Sequence, residues 1–196
     1  MQTKTLGRRE RRKLRTRNEL KKATEELLIE IGFDELNIQK ITDHADLARA
    51  TFYLHFGDIE EAVWAVLADR IEELGKIMWD VPETDPVKVR YAKWVRVFEF
   101  VQRHKPLMGA ILGDKGHIKL VRRTNEFMAM MLKGDMLSGK VARTTDLPID
   151  FEAQFFTGAV MQTITWWLLN DEPYSAEELA DMVFEIVLGY PYDPGR

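Results

Sequence analysis

The sequence predicts an all-α chain of about nine helices, with a short helix-turn-helix near its start and a larger helical body behind it. Three observations carry this. Apolar residues recur at three- and four-residue steps over most of the chain. Residues suited to helix caps stand where those stretches begin and end. No alternating apolar–polar run is long enough to defend a strand.

Taken in order, Leu20, Ala23, Leu27, Leu28 and Ile31 form the stripe of a first helix, and Gly32 stands where it should stop. A short segment from Asn37 to about Ala45 has Ile38, Ile41 and Ala45 on one face, with Asn37 as N-cap. Asp46-Leu47 interrupts it, and a second short segment runs from Arg49 to Phe56. Gly57 breaks that segment, and Asp58 with Glu61 reads as a capping box opening a long helix, 58–79. Its stripe is Ile59, Val63, Val66, Leu67, Ile71, Leu74 and Met78. Pro82 to Pro86 is a loop, after which Val87, Tyr91, Trp94, Val95, Phe98 and Val101 mark another helix. Gly109, Gly113 and Gly116 punctuate a short helix past Pro106, and Ile118, Val121, Met128, Met131 and Leu132 predict one ending near Met136. Ser138 to Pro148 is a connection, and a strongly apolar helix spans Ile149 to Leu169. The last helix opens on Ser175 and Glu178 and buries Leu179, Met182, Val183, Ile186 and Tyr190.

Composition narrows the class. Apolar residues are 45% and charged residues 31% of 196, ordinary for a globular protein with a real core. There are no cysteines, which excludes a disulfide framework and thiolate metal sites. The basic start, MQTKTLGRRERRKLRTRNEL, lacks the apolar stretch of a signal peptide, and no run approaches a membrane span. A cytoplasmic protein is expected, with no membrane partner.

The net charge of −4 is unevenly spread: residues 1–22 hold ten basic groups against Glu10 and Glu19, a net of +8, leaving −12 for the other 174. One end therefore suits a polyanion and the other does not. A solvated tail accounts for the charge alone equally well. Residues 1–14 are expected to form a flexible basic arm.

Two short helices joined by a tight turn suit DNA reading, the first bracing a second whose outer face enters the major groove. Ile38, Ile41, Ala45, Leu47, Ala50, Leu54 and Phe56 are expected to hold the pair together. Gln39, Lys40, Arg49, Thr51, Tyr53 and His55 are left facing outward. An Arg49 guanidinium can engage O6 and N7 of guanine, worth about 1–3 kcal/mol of discrimination.

The stretch from Glu26 to Ala62, ELLIEIGFDELNIQKITDHADLARATFYLHFGDIEEA, resembles the DNA-binding domain of the TetR (tetracycline-repressor-like) family. Thr51-Phe-Tyr53-Leu-His55-Phe56 is similar to that family's T-[LIV]-Y-x-H-F at the end of the recognition helix. Gly32-Phe33, the Ile38 and Ile41 pair and the acidic opening of helix four also match. The resemblance implies a homodimer with its two recognition helices in successive major grooves of a near-palindromic operator. By position, Asn37, Tyr53 and His55 would meet phosphates, and Arg49, Ala50 and Thr51 bases or nearby phosphates. A structural role for Tyr53, packed on helix one, stands beside the phosphate reading. Three departures matter. Asp46-Leu47 replaces the usual Gly and β-branched residue, Ala48 the usual Ser/Thr cap, and Ile59 the usual Lys. The turn survives because Asp tolerates a left-handed backbone, but the other two weaken the motif. The basic arm, through Arg8, Arg9, Arg11 and Arg12, is expected to compensate by entering the minor groove.

The resemblance divides the chain into the arm, a DNA-binding domain at 15–57 that packs on the start of helix 58–79, and a ligand-binding and dimerisation domain at 58–196. It implies that the last two helices form a four-helix bundle with a partner's, through Phe156, Val160, Trp167, Met182, Val183 and Ile186. Trp94, Phe98, Met108, Phe127, Met128, Met131, Phe155 and Trp166 are expected to line an apolar cavity for a small apolar or amphipathic effector, plain core packing being the alternative. Because Ile149–Leu169 is apolar all round, it must be buried on several faces, by partner and ligand or by a larger monomeric core.

Enzymatic readings find no support. His44, His55, His104 and His117 have no metal-ligand spacing, and no nucleophile elbow, phosphate loop or dinucleotide fingerprint occurs. No metal or cofactor is expected. The leading expectation is a ligand-responsive repressor; an activator or coactivator of the same family, or a helical interaction module that has lost DNA binding, are the alternatives.

Overall fold

The computed structural model describes residues 7–113, 116–143, 145–171, 173–189 and 193. Among them are nine α-helices and no strand: α1 Arg8–Ile31, α2 Ile38–His44, α3 Arg49–Tyr53, α4 Ile59–Trp79, α5 Pro86–Arg103, α6 Lys105–Leu112, α7 Ile118–Leu137, α8 Ile149–Leu169 and α9 Ala176–Leu188. The chain divides into two compact units between Glu73 and Leu74, within α4. The early turns of α4 bury Ala62, Val63, Val66 and Leu67, which makes them part of the first unit.

In the first unit, α1 begins at Arg8, so Arg8 to Leu14 are helical instead of a flexible arm. Arg, Lys, Leu and Glu are all good helix formers, and Glu10 accepts a 2.9 Å hydrogen bond from the Gly7 N–H at the start. The helix stops at Gly32, whose φ of 78° costs a Cβ-free residue little. Leu20, Ala23, Leu27 and Leu28 are buried as expected. Thr24, also buried, satisfies its hydroxyl by donating to the Leu20 carbonyl.

Asn37 caps α2 by accepting from the Lys40 N–H at 2.9 Å. The turn after it needs one left-handed residue, and Asp46 supplies it at φ 53°. Ala48 precedes α3 with no side-chain cap. α3 is only five residues long; Leu54 to Phe56 leave the helix, so it ends earlier than Phe56. Phe52, at 0% exposure, and Phe56, at 2%, hold it down, with ring centroids 5.6 Å apart. Ala50 and Leu54, expected inside, are exposed, Leu54 at 73%. In a single helical turn the buried side is the one carrying Phe52, and positions two residues away on either side must point elsewhere. α4 opens as a capping arrangement: Asp58 accepts from the Glu61 N–H, and Glu61 accepts from the Gly57 N–H.

In the second unit, α5 packs on α9 and α7 on α8, with α6 against its neighbours. Asp85 caps α5, with Pro86 at its first position. Ser175 and Glu178 close a reciprocal capping box on α9. Around Trp167, which is wholly buried, Phe98 packs edge-on at 5.8 Å and Trp94 stacks on Phe98. The Trp167 indole N–H donates to the Tyr174 carbonyl at 2.9 Å. Tyr190 lies outside the described residues.

Replacing Asp46 by Val is expected to lower unfolding stability by about 1–2 kcal/mol, because a β-branched residue resists positive φ. Asp46→Gly should stay close to the parent in urea unfolding.

Candidate nucleic-acid interface

The outward side of α3 and the residues around it form the candidate interface. Arg49, Ala50, Tyr53 and Leu54 are exposed, and Thr51 is half-buried. The Arg49 guanidinium lies 3.5 Å from the Tyr53 hydroxyl, one turn along, so a cation and a phenol share one ridge. Tyr53 is 52% exposed, and its ring meets Phe52 edge-on at 5.8 Å. Phe52 therefore carries the packing that a structural role for Tyr53 would have required.

Around this ridge, Asn37, Gln39 and Lys40 are exposed at the start of α2. Asn37 is engaged as the cap, Gln39 donates to Asp43 at 2.6 Å, and Lys40 reaches the Glu35 carbonyl at 2.9 Å. Their outer groups are held locally, with Lys40 still presenting positive charge. On α1, Arg8, Arg9, Arg11 and Arg12 are exposed on a helix rather than on a flexible chain.

His55 departs from the outward-facing expectation. It is only half-exposed, and its Nδ1 is buried with no hydrogen-bond partner. Burial, then the Lys13 and Arg17 charges, push its imidazole below its ordinary value of 6.5. In the DNA-free protein the ring is therefore held toward its neutral form.

Sequence reasoning passed over Arg17. Its Nη1 donates to the His55 carbonyl at 2.6 Å, and its guanidinium lies 4.2 Å from the Phe56 ring centroid. Only its place in a basic run was legible in advance. Two further links tie α1 to α4: Lys21 to Asp69 at 2.5 Å, and a two-pronged Arg70–Glu25 pair at 2.8 Å. His44 bonds Glu26 at 2.9 Å and thereby joins α2 to α1; that bond, chiefly, holds the Glu26 carboxyl below its usual range.

The effector and dimer expectations are sorted differently. Trp94, Met108, Phe127 and Met128 are half-buried and Phe98 fully so, but Met131, Phe155 and Trp166 are exposed at 43%, 61% and 42%. Those three do not line an interior. Trp167, expected on a dimer face, is core. Of the remaining dimer candidates, Phe156, Val160 and Val183 are half-buried, whereas Met182 is 37% exposed and Ile186 83%. On α8 the open side runs through Phe151, Phe155, Ala159, Gln162, Trp166 and Leu169, a single helical stripe. Among the described residues no helix is long and apolar enough to cross a membrane, and no His/Asp/Glu group could hold a metal ion.

Ala48→Ser should add a capping oxygen and raise stability by about 1 kcal/mol, read as a shift in the urea midpoint. In an NMR titration the His55 ring should protonate below pH 6.5. Lys13→Gln should move that midpoint part of the way back, burial being the larger cause. By linkage, His55 contributes stability present above its unfolded-state value and lost as pH falls through the depressed folded value.

Comparison with known proteins agrees with this geometry. Residues 20–65 match the model for bacterial regulatory proteins of the tetR family. Residues 92–189, half of the 196-residue chain, match a transcriptional regulator C-terminal region of the same family series. The chain is similar to the fatty acid metabolism regulator protein of Bacillus subtilis, 21% identical over 183 residues, 85% of this chain and 90% of that protein. Among solved structures, a TetR transcriptional regulator from Streptococcus agalactiae superimposes with a TM-score of 0.69 at 20% identity, over 91% of this chain and 97% of that one. The B. subtilis regulator FadR, solved with stearoyl-CoA, gives 0.60 at 18% identity, over 89% and 99%. With a helix-turn-helix built on Phe52 and Phe56 and both units matched, this chain belongs to the TetR family of bacterial transcription regulators.

Proposed function

We propose that the protein is a ligand-responsive repressor that binds a near-palindromic operator as a homodimer. The observation that carries the reading is α3, which buries Phe52 completely and turns Arg49, Ala50 and Tyr53 outward, as a helix that reads base edges must. Arg49 reads bases, Tyr53 and Lys40 meet phosphates, and Ala50 and Thr51 lie against the groove floor or its nearest phosphates.

Dimerisation rests on the second unit. The α8 stripe exposes Phe151, Phe155, Trp166 and Leu169, and α9 exposes Met182 and Ile186, more large apolar side chains than a monomer surface needs. A second copy presenting the same surface would cover it, as a two-fold interface requires. Phe156, Val160 and Val183 lie beside this surface.

An effector site belongs to the same unit. Thr124 Oγ1 and Asn125 Oδ1 are buried without a hydrogen-bond partner among the described residues, beside the half-buried Phe127 and Met128 on α7. A ligand with an apolar body and a polar group would satisfy both kinds of neighbour. The names of the relatives favour a long-chain acyl-CoA. Its action requires two protein states of different DNA affinity, between which the ligand discriminates. α4 has residues in both units and is the covalent route for such coupling. Activation instead of repression would use the same contacts. A DNA-independent interaction module is disfavoured by the exposed Arg49 ridge.

Selection from a random duplex pool, followed by footprinting, should yield a two-fold-related sequence protected by the protein and released by stearoyl-CoA. Failure to enrich any sequence in low salt would remove the DNA-reading role. Arg49→Ala should cost about 1–3 kcal/mol on the selected site and relax its base preference. Ile186→Glu should yield monomers in sedimentation and weaken operator binding without unfolding the chain.

A further inference from the structure

The turns of α1 that precede its buried part have more cationic charge than their fold needs. Arg8, Arg9, Arg12 and Lys13 are all exposed there. Cations at a helix N-terminus oppose the macrodipole, and like charges four residues apart repel, as in Arg8 with Arg12 and Arg9 with Lys13. Such a segment is relieved by a polyanion. Being helical, it also has faces. At 100° per residue, Arg9, Lys13 and Arg17 lie along one stripe, whereas Arg8, Arg12 and Arg15 lie along another about a third of a turn away. Arg15 is already paired with Glu19 at 2.9 Å.

The first stripe is the one joined to the recognition element. Arg17 grips the His55 carbonyl at 2.6 Å and covers the Phe56 ring, and the Lys13 charge is felt at His55. Resting on the DNA-binding reading above, we propose that Arg9 and Lys13 form a helix-borne phosphate clamp. Arg17 is its positioning residue, holding this stripe in line with the end of α3 so that both meet one duplex. From Arg9 to Arg17 the helix rises about 12 Å, enough to pass about three phosphates of one strand. The contact is with the phosphate backbone and is independent of sequence. It differs from a flexible arm in a testable respect: only one face of α1 takes part.

The test compares two charge-matched double variants of the full chain, Arg9→Gln/Lys13→Gln and Arg8→Gln/Arg12→Gln. Affinity for a mixed-sequence duplex is measured by fluorescence anisotropy from about 50 to 200 mM salt. The first pair should flatten the log–log salt slope by about 1.8 per protomer, two phosphates at about 0.9 each, while the second leaves it nearly unchanged. Equal flattening by both pairs, or none by either, overturns the clamp. Arg17→Lys keeps the charge but loses the planar fork. It should flatten the slope if Arg17 aligns the stripe; an unchanged slope with lowered thermal stability would make its role structural only. Repeating the series on the selected duplex separates the two readings. If the parent protects that sequence and the variants do not differ, the clamp fails and the regulator stands. If no sequence is ever protected, the regulator reading fails while the mixed-sequence slopes still decide the clamp.

Discussion

Phe52 and Phe56 stand four residues apart in a segment too short to be helical by itself, since isolated helices below about 12 residues are marginal in water. α3 has five residues and lacks a side-chain cap at Ala48. What makes it a helix is the burial of those two rings, at 0% and 2% exposure. Each contributes about 1.5–3 kcal/mol of apolar transfer. Once they are buried, Tyr53, next to Phe52, is turned away from the core, and Arg49 at the open first position of the helix is exposed beside it. The Arg17 guanidinium extends this constraint: stacked on Phe56 and bonded to the His55 carbonyl, it ties the exit of α3 to α1.

That arrangement makes α1 a helix with two different halves. Its second half buries Leu20, Ala23, Leu27 and Leu28 and is bound to α4 through Lys21–Asp69 and Glu25–Arg70. Its first half buries nothing and is densely cationic. The helical order of the first half is borrowed from the second, because adding a residue to an existing helix is far easier than nucleating one. A flexible arm and a helical one carry the same charge, but only the helical one gives each arginine a fixed side. Ile59 and Ala48 stand where the family usually has a lysine and a Ser/Thr cap, whereas the exposed cations of the first unit are concentrated on α1.

In the second unit the decisive distinction lies between two aromatic residues of α8. Trp167 sits in the core between Phe98 and the Tyr174 carbonyl, whereas Phe155 is 61% exposed. Both are large and apolar, and they sit on a helix with apolar residues all round. The only charged residue buried on α8, Glu152, is 2% exposed and bound to Arg143 at 2.8 Å. A carboxylate buried this far needs a charged partner, and Arg143 supplies one.

The sequence by itself determined the helices, most of their limits and the family. Periodicity, Asn37, Asp46, the Ser175 and Glu178 box and the Thr51–Phe56 segment are local signals, each read from neighbours within about four residues. Gly32 ends α1 for the same local reason, its φ of 78° being visible as glycine in the sequence. Which face of α3 and of α8 is buried was decided only by the tertiary structure. It exchanged Phe155 and Trp167 between surface and core, placed Phe52 inside where Leu54 had been expected, and turned Arg8 to Leu14 from an arm into a helix. A short or uniformly apolar helix contains no internal reference for its rotation. The reference comes from partners far away in the chain, such as Arg17 meeting His55 across 38 residues.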